Sequence, residues 1–172
     1  RQAELAGKIV VDLTNPVDFA TFDSLTVAPG ASAAAALASA LPSSHVLKAF
    51  NTNFGATLAS GVAGDQPTTV LVAGDDADAK ASLIAAITPS GVKALDAGSL
   101  KRARELEAIG FLQISLAASE KIGWTGGFAV VAGAPRAGWR VRPSQGVGAP
   151  RRRVSRRVTR PRRRLGRHPG RG

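Results

Sequence analysis

Apolar residues along this chain fall in short runs, each closed by glycine, proline or asparagine, and the runs differ in length and side-chain type. Residues 8–13 (KIVVDL) are β-branched and apolar, entered through Gly7 and left through Thr14, Asn15 and Pro16, which predicts a buried strand ending in a loop. Residues 31–41 are nearly all Ala and Leu and stop at Pro42, which predicts a helix. Further strands are predicted over 45–50 (HVLKAF), 68–73 (TTVLVA) and 92–95. Asp75 or Asp76 is placed to cap a helix carrying Leu83, Ile84 and Ile87, closed by Pro89 and Gly91. Ser99 is placed to cap a long helix from 100 to about 122, in which Leu106, Ile109, Leu112, Ile114 and Leu116 can pack on a sheet or a second subunit.

Short strands alternating with helices predict an α/β layer with a largely parallel sheet. Four strands make an incomplete sheet, because the inner edge of the first would lie open and an apolar open edge aggregates. Strands upstream of this one are therefore expected, as the absence of methionine and the start at Arg1 also imply. The chain has no internal repeat. It has no apolar run of the roughly 18–20 residues that cross a bilayer and no opening signal peptide, so a cytoplasmic protein without a membrane partner is expected. The lack of cysteine excludes disulfides, thiolate catalysis and Cys-ligated zinc.

Charge changes this picture by its distribution. The net charge is +11, but 14 of the 23 basic residues are arginines beyond Val131, where no acidic residue occurs. The first 131 residues keep nine basic side chains against all twelve acidic ones and are net negative. Two compositions meet near Val131: a folded part, 1–131, and an arginine-rich tail, 132–172, with too few apolar residues to offset ordering entropy and expected to be disordered. A mixture of Arg, Gly, Pro and Ala without acids is also what a GC-rich gene yields when read out of frame or past its stop, and the tail is expected to be such a product.

In an open α/β sheet, ligands bind outside the carboxyl ends of the strands. That rule selects three loops: 14–17, 51–55 and 96–99. Their small and polar residues let backbone amides and amide side chains approach a ring or a phosphate, although Asn, Pro and Gly are also ordinary turn residues, and the residues alone favour that plainer reading. His45 opens a strand and His168 lies in the tail, neither beside a nucleophile arrangement, so a hydrolytic triad is not indicated. Asp75, Asp76 and Asp78 begin a helix, where carboxylates suit the dipole, and helix capping outweighs a metal cluster. Lys121 reads as a solvated cation near a helix end. No GxGxxG fingerprint and no GKS or GKT phosphate loop is present.

Five stretches carry a resemblance: GKIVVDLTNPVDFATFDSL, VLKAFNTNF, the GDD after TTVLVA, DAGSLKRARELEAIGFL and GWTGGFAVV. In this order, from Gly7 to about Val131, they resemble the NADPH-dependent deazaflavin reductases (coenzyme F-420:NADP oxidoreductases). The resemblance implies an incomplete Rossmann-like, NAD(P)-binding sheet that lacks its first strands and glycine-rich loop. It implies hydride transfer between NADP(H) and the deazaflavin coenzyme F-420, in which the protein chiefly aligns two ring systems, with no metal and no catalytic acid or base. By position, Val17 and Gly55 match residues lining the NADP site, while Asn15, Pro16, Asn51, Thr52 and Phe54 shape the pocket for the two rings. The chain alone, without the fingerprint half, is expected to be inactive.

Two other readings remain open at this point. The run RRRVSRRVTRPRRR, 151–164, can bind nucleic-acid phosphates without sequence preference. A pyrroline-carboxylate-type imine reductase shares a similar nucleotide-binding half, and the TNPV and DAGSL stretches favour the deazaflavin enzymes over it.

Overall fold

A computed structural model describes residues 2–131 and 133. The arginine-rich tail, and with it the expectation of disorder, lies outside the described residues.

Four strands form the main sheet: β1 (Ile9–Asp12), β2 (His45–Lys48), β5 (Thr69–Gly74) and β6 (Lys93–Gly98), side by side in that order. Between β2 and β5 come a short helix, α2 (Gly55–Ser60), and a two-stranded hairpin of β3 (Val62–Ala63) and β4 (Gln66–Pro67), none of which the apolar pattern predicts. The other helices are α1 (Ala33–Ala40), α3 (Ala77–Ile87) and α4 (Ala103–Ala118). Among the described residues no helix is long and apolar enough to cross a membrane.

Two apolar clusters sandwich the sheet. Val46, with Val10, faces Ala34, Leu41, Leu100 and Ala103 under α1 and α4. Leu47, Val70 and Val72 face Ala79, Ile87 and Leu58 under α2 and α3. Alternate residues of β2 thus serve opposite layers, as strand geometry requires, and the result is the Rossmann-like α/β arrangement expected.

The sheet is largely parallel, as expected, with one reversal at its centre. β1 pairs parallel with β2, and β5 with β6, but β2 and β5 run antiparallel through Leu47↔Gly74 and Lys48↔Ala73. The 20 residues between β2 and β5 hold α2 and the hairpin instead of a full crossover, which lets the chain reverse direction. The carboxyl ends of β5 and β6 therefore lie at the amino ends of β1 and β2. Asp76, just past β5, accordingly meets His45, the first residue of β2, at 2.8 Å.

The helix boundaries follow their caps. Ser32 Oγ accepts from the Ala35 amide, so α1 starts two residues later than the composition implies. Asp76 caps α3 by accepting from the Ala79 amide, and that bond, ahead of the nearby His45, holds its carboxyl below the ordinary value. Asp75 does something else: it accepts from the Leu100 amide and so caps the 3-10 turn Leu100–Arg102 that leads into α4. Ser99 makes no capping bond with its side chain, contrary to the sequence expectation, and α4 ends at Ala118, four residues early. Asp75→Ala should thus cost about 1 kcal/mol in urea unfolding, whereas Ser99→Ala should leave the midpoint unchanged; equal losses would contradict this assignment.

Candidate functional site

The antiparallel step divides the three loops selected by sequence. Loops 14–17 and 51–55 follow β1 and β2 and share one rim of the sheet, whereas Asp96–Ser99 belongs to the opposite rim. There, Asp96 pairs with Lys80 at 2.8 Å and accepts from the Gly98 amide, both of which lower its carboxyl.

On the shared rim Asn15 and Asn51 lock together. Asn15 Nδ2 donates to the Asn51 carbonyl at 2.9 Å, and Asn51 Nδ2 donates to Asn15 Oδ1 at 2.9 Å and to the Leu106 carbonyl at 2.8 Å. The lock ties β1, β2 and α4 at one point. Asn51 Oδ1 is buried and finds no donor among the described residues. Phe50, just before this asparagine, holds φ at 65°, a strained value for a bulky side chain that turns the chain sharply out of β2.

The other candidate residues play unequal parts. Pro16 accepts from the Thr26 amide and hydroxyl, which closes the loop that follows β1. Val17 is buried, bridges to Leu25, and serves the core with its side chain. Gly55 is exposed at the start of α2. Phe54 packs against Trp124 with ring centroids 4.9 Å apart. Thr52 lines a cleft of about 260 Å³ shared with Thr69, Leu71, Ile109 and Phe128–Val130.

Gln113 ties together two of the segments that line this cleft. Its side chain is buried, donates to the Thr52 carbonyl at 3.3 Å and accepts from the Phe128 amide at 2.9 Å. The chain passes close over it at Gly127, where φ is 142° and an added Cβ would come within 2.8 Å of Gln113 Oε1. The GWTGGF stretch is therefore docked against the AFNT loop by one amide side chain and one aromatic pair.

Beneath the rim lies an ionic cluster. Lys48, fully buried on β2, places Nζ 2.9 Å from Asp12 Oδ2 and 3.0 Å from Glu107 Oε1, and also donates to the Thr14 carbonyl. Two carboxylates face one ammonium; the amides of Ala33 and Ala34, at the start of α1, donate to Glu107 and supply the remaining positive potential. Burial pushes the Asp12 carboxyl up, but the Lys48 hydrogen bond, the Thr14 amide and hydroxyl, and the charge of Lys48 outweigh it and hold it below the ordinary value. Sequence reasoning missed this cluster. The sign was present, since Lys48 shares a strand face with buried Val46 and a charge there requires partners.

Among the described residues no three carboxylates or imidazoles group to hold a metal. The rim's Asn15 and Asn51 amides bond to each other and to the Leu106 carbonyl, the ionic cluster lies beneath it, and its cleft presents mainly apolar walls.

No family model matches the chain. Among curated proteins it is similar to the metalloreductase STEAP3 of Rattus norvegicus, 39% identical over 106 residues that make up 62% of this chain and 20% of that protein. Among solved structures it is similar to a protein of Arthrobacter sp. FB24 provisionally assigned as an F-420-dependent NADP reductase, with a TM-score of 0.65 and 28% identity over 76% of this chain and 60% of that one. A hypothetical protein of Sinorhizobium meliloti matches with a TM-score of 0.50 and 30% identity over 55% of this chain and 46% of its own. The chain thus spans a fifth of the curated relative and three fifths of the Arthrobacter protein, whose fold it resembles in its Rossmann-like α/β arrangement.

Proposed function

We propose that this chain is the ring-aligning part of an NADP-dependent oxidoreductase that exchanges hydride with the deazaflavin coenzyme F-420. The observation that carries the reading is the Asn15–Asn51 lock, which holds the two carboxyl-end loops of β1 and β2 together beside an apolar cleft. The name of the Arthrobacter protein supports the same reading, and that of the curated relative supports a reductase in the broader sense.

The residues present fit such cofactors. The 260 Å³ cleft offers Leu71, Ile109 and Phe128 as walls and Thr52 and Thr69 as polar points, which suits a flat ring carrying a few hydrogen-bonding groups. NADPH and the deazaflavin together supply the hydride chemistry when bound. Thr52 lines the ring site, Asn15, Pro16 and Asn51 fix the loops at its edge, and Phe54 and Gly55 shape the turn into α2. The buried carboxylates of Asp12 and Glu107 are paired with Lys48 and serve the scaffold, so catalysis rests on proximity and exclusion of water.

The test joins this chain to the part of the Arthrobacter protein that it does not span and follows NADPH consumption with F-420 as acceptor. Oxidation that falls at least tenfold with Thr52→Trp, which fills the cleft, is the expected result. A folded chimera that binds NADPH but leaves it unoxidised would overturn the deazaflavin assignment, and one that binds no NADPH would overturn the whole reading.

A further inference from the structure

We propose that Lys48 is a positioning residue for the ligand rim, acting through the carbonyl of Thr14 to set the shape of loop 14–17. The description of that rim as a ligand site rests on the reductase reading above; the role of Lys48 in shaping the loop does not.

An ammonium group has three N–H donors, and Lys48 donates to Asp12 Oδ2 on β1 and to the Thr14 carbonyl at the loop's first residue, while its charge also lies 3.0 Å from Glu107 Oε1 on α4. Asp12 uses its other oxygen to accept from the amide and the hydroxyl of the same Thr14. Every polar group of Thr14 named here is thus held by the Asp12–Lys48 pair. Asp12 and Lys48 are register partners across β1 and β2, which is why two side chains pointing into one layer can grip a single residue just beyond the strands. Glu107 fastens the other side of Lys48 and is itself fastened by the first amides of α1.

The position of the loop therefore depends on one buried charge, and its downstream contacts begin from there: Asn15 reaches Asn51, and the Pro16 carbonyl receives Thr26. An arginine in place of Lys48 would keep the charge, but its flat, longer guanidinium cannot place a single nitrogen among these oxygens.

The experiment is amide hydrogen exchange by NMR on the full chain and its Lys48→Arg variant. Loss of one charge-assisted hydrogen bond should speed exchange about tenfold, at the amides of Thr14 and Thr26, with Val46 and Val72 in the sheet unchanged. Uniformly faster exchange across the sheet would make Lys48 a general stabiliser, and an unchanged loop would remove the link to Thr14; either overturns the proposal. If the variant does not fold, lysine nitrogen labelling of the unaltered chain decides: a slowly exchanging Lys48 ammonium with a cross-peak to Thr14 supports the proposal, and a rapidly exchanging one overturns it. Neither readout requires NADPH, so a failed hydride-transfer assay leaves this result standing and strikes only the reductase reading.

Discussion

Lys48→Met should lower the unfolding free energy by about 3–5 kcal/mol, a large part of the stability of a domain this size. Methionine nearly matches the volume of the lysine stem, so the loss is not one of packing; it comes from leaving Asp12 and Glu107 buried with no ammonium between them. The dependence on pH should change sign as well. In the unaltered protein the folded Asp12 carboxyl lies below its ordinary 3.8, so its contribution is full above 3.8 and is lost as pH falls through the lower folded value. In the variant only the Thr14 hydrogen bonds still oppose burial, so that carboxyl rises from its value in the parent. The penalty is then largest at neutral pH and is relieved by protonation, so the variant should gain stability between neutral pH and about pH 5 while the parent stays flat. Urea-unfolding midpoints across that range check both, and a variant whose profile parallels the parent would show that Asp12 does not sense Lys48.

Gly110→Ala should destabilise by about 1–3 kcal/mol, although alanine normally gains up to about 1 kcal/mol over glycine inside a helix. The sign reverses because a Cβ at this position of α4 would fall 2.2 Å from Asn15 Oδ1 and 2.8 Å from the Asn51 carbonyl. The helix can approach the asparagine lock only because this residue has no side chain. In an Asn15→Ala background the nearer obstacle is gone, so the same substitution should cost at least 0.5 kcal/mol less, within the coupling of about 0.5–3 kcal/mol expected of touching residues. Additive losses in that double-mutant cycle would mean that the helix does not rest on the lock.

The parts of the fold that were legible in the sequence are those governed by local rules. The β-branched runs became β1, β2, β5 and β6, the alanine-rich run became α1, and Asp76 capped α3 as its position implied. Direction was not legible, because an apolar strand has the same composition whichever way it runs, and the turn that reverses it lies in the unremarkable residues of α2 and the small hairpin. Nor was the choice between Ser99 and Asp75 as the cap before α4, since the winning carboxylate lies 25 positions away in sequence. At the site, the sequence marks Asn15 and Asn51 as residues of two strand-end loops, while their bonding to each other emerges only in three dimensions. Val17, chosen from the same short motif, is core, which strict alternation along so irregular a loop could not decide.

The reversal between β2 and β5 also sorts charge across the molecule. Asp75, Asp76, Asp78 and Asp96 all follow or end the two reversed strands, so they gather at the rim away from the asparagine lock. With β5 and β6 parallel to their neighbours, these same four carboxylates would crown the loops that face a ligand. A strand of this length sets the rims about 15 Å apart, roughly twice the Debye length at physiological ionic strength. The repulsion that a phosphate-bearing molecule would meet from these aspartates is thus largely screened before it reaches the other rim, and the acidic loops can cap helices without an electrostatic toll on anion approach.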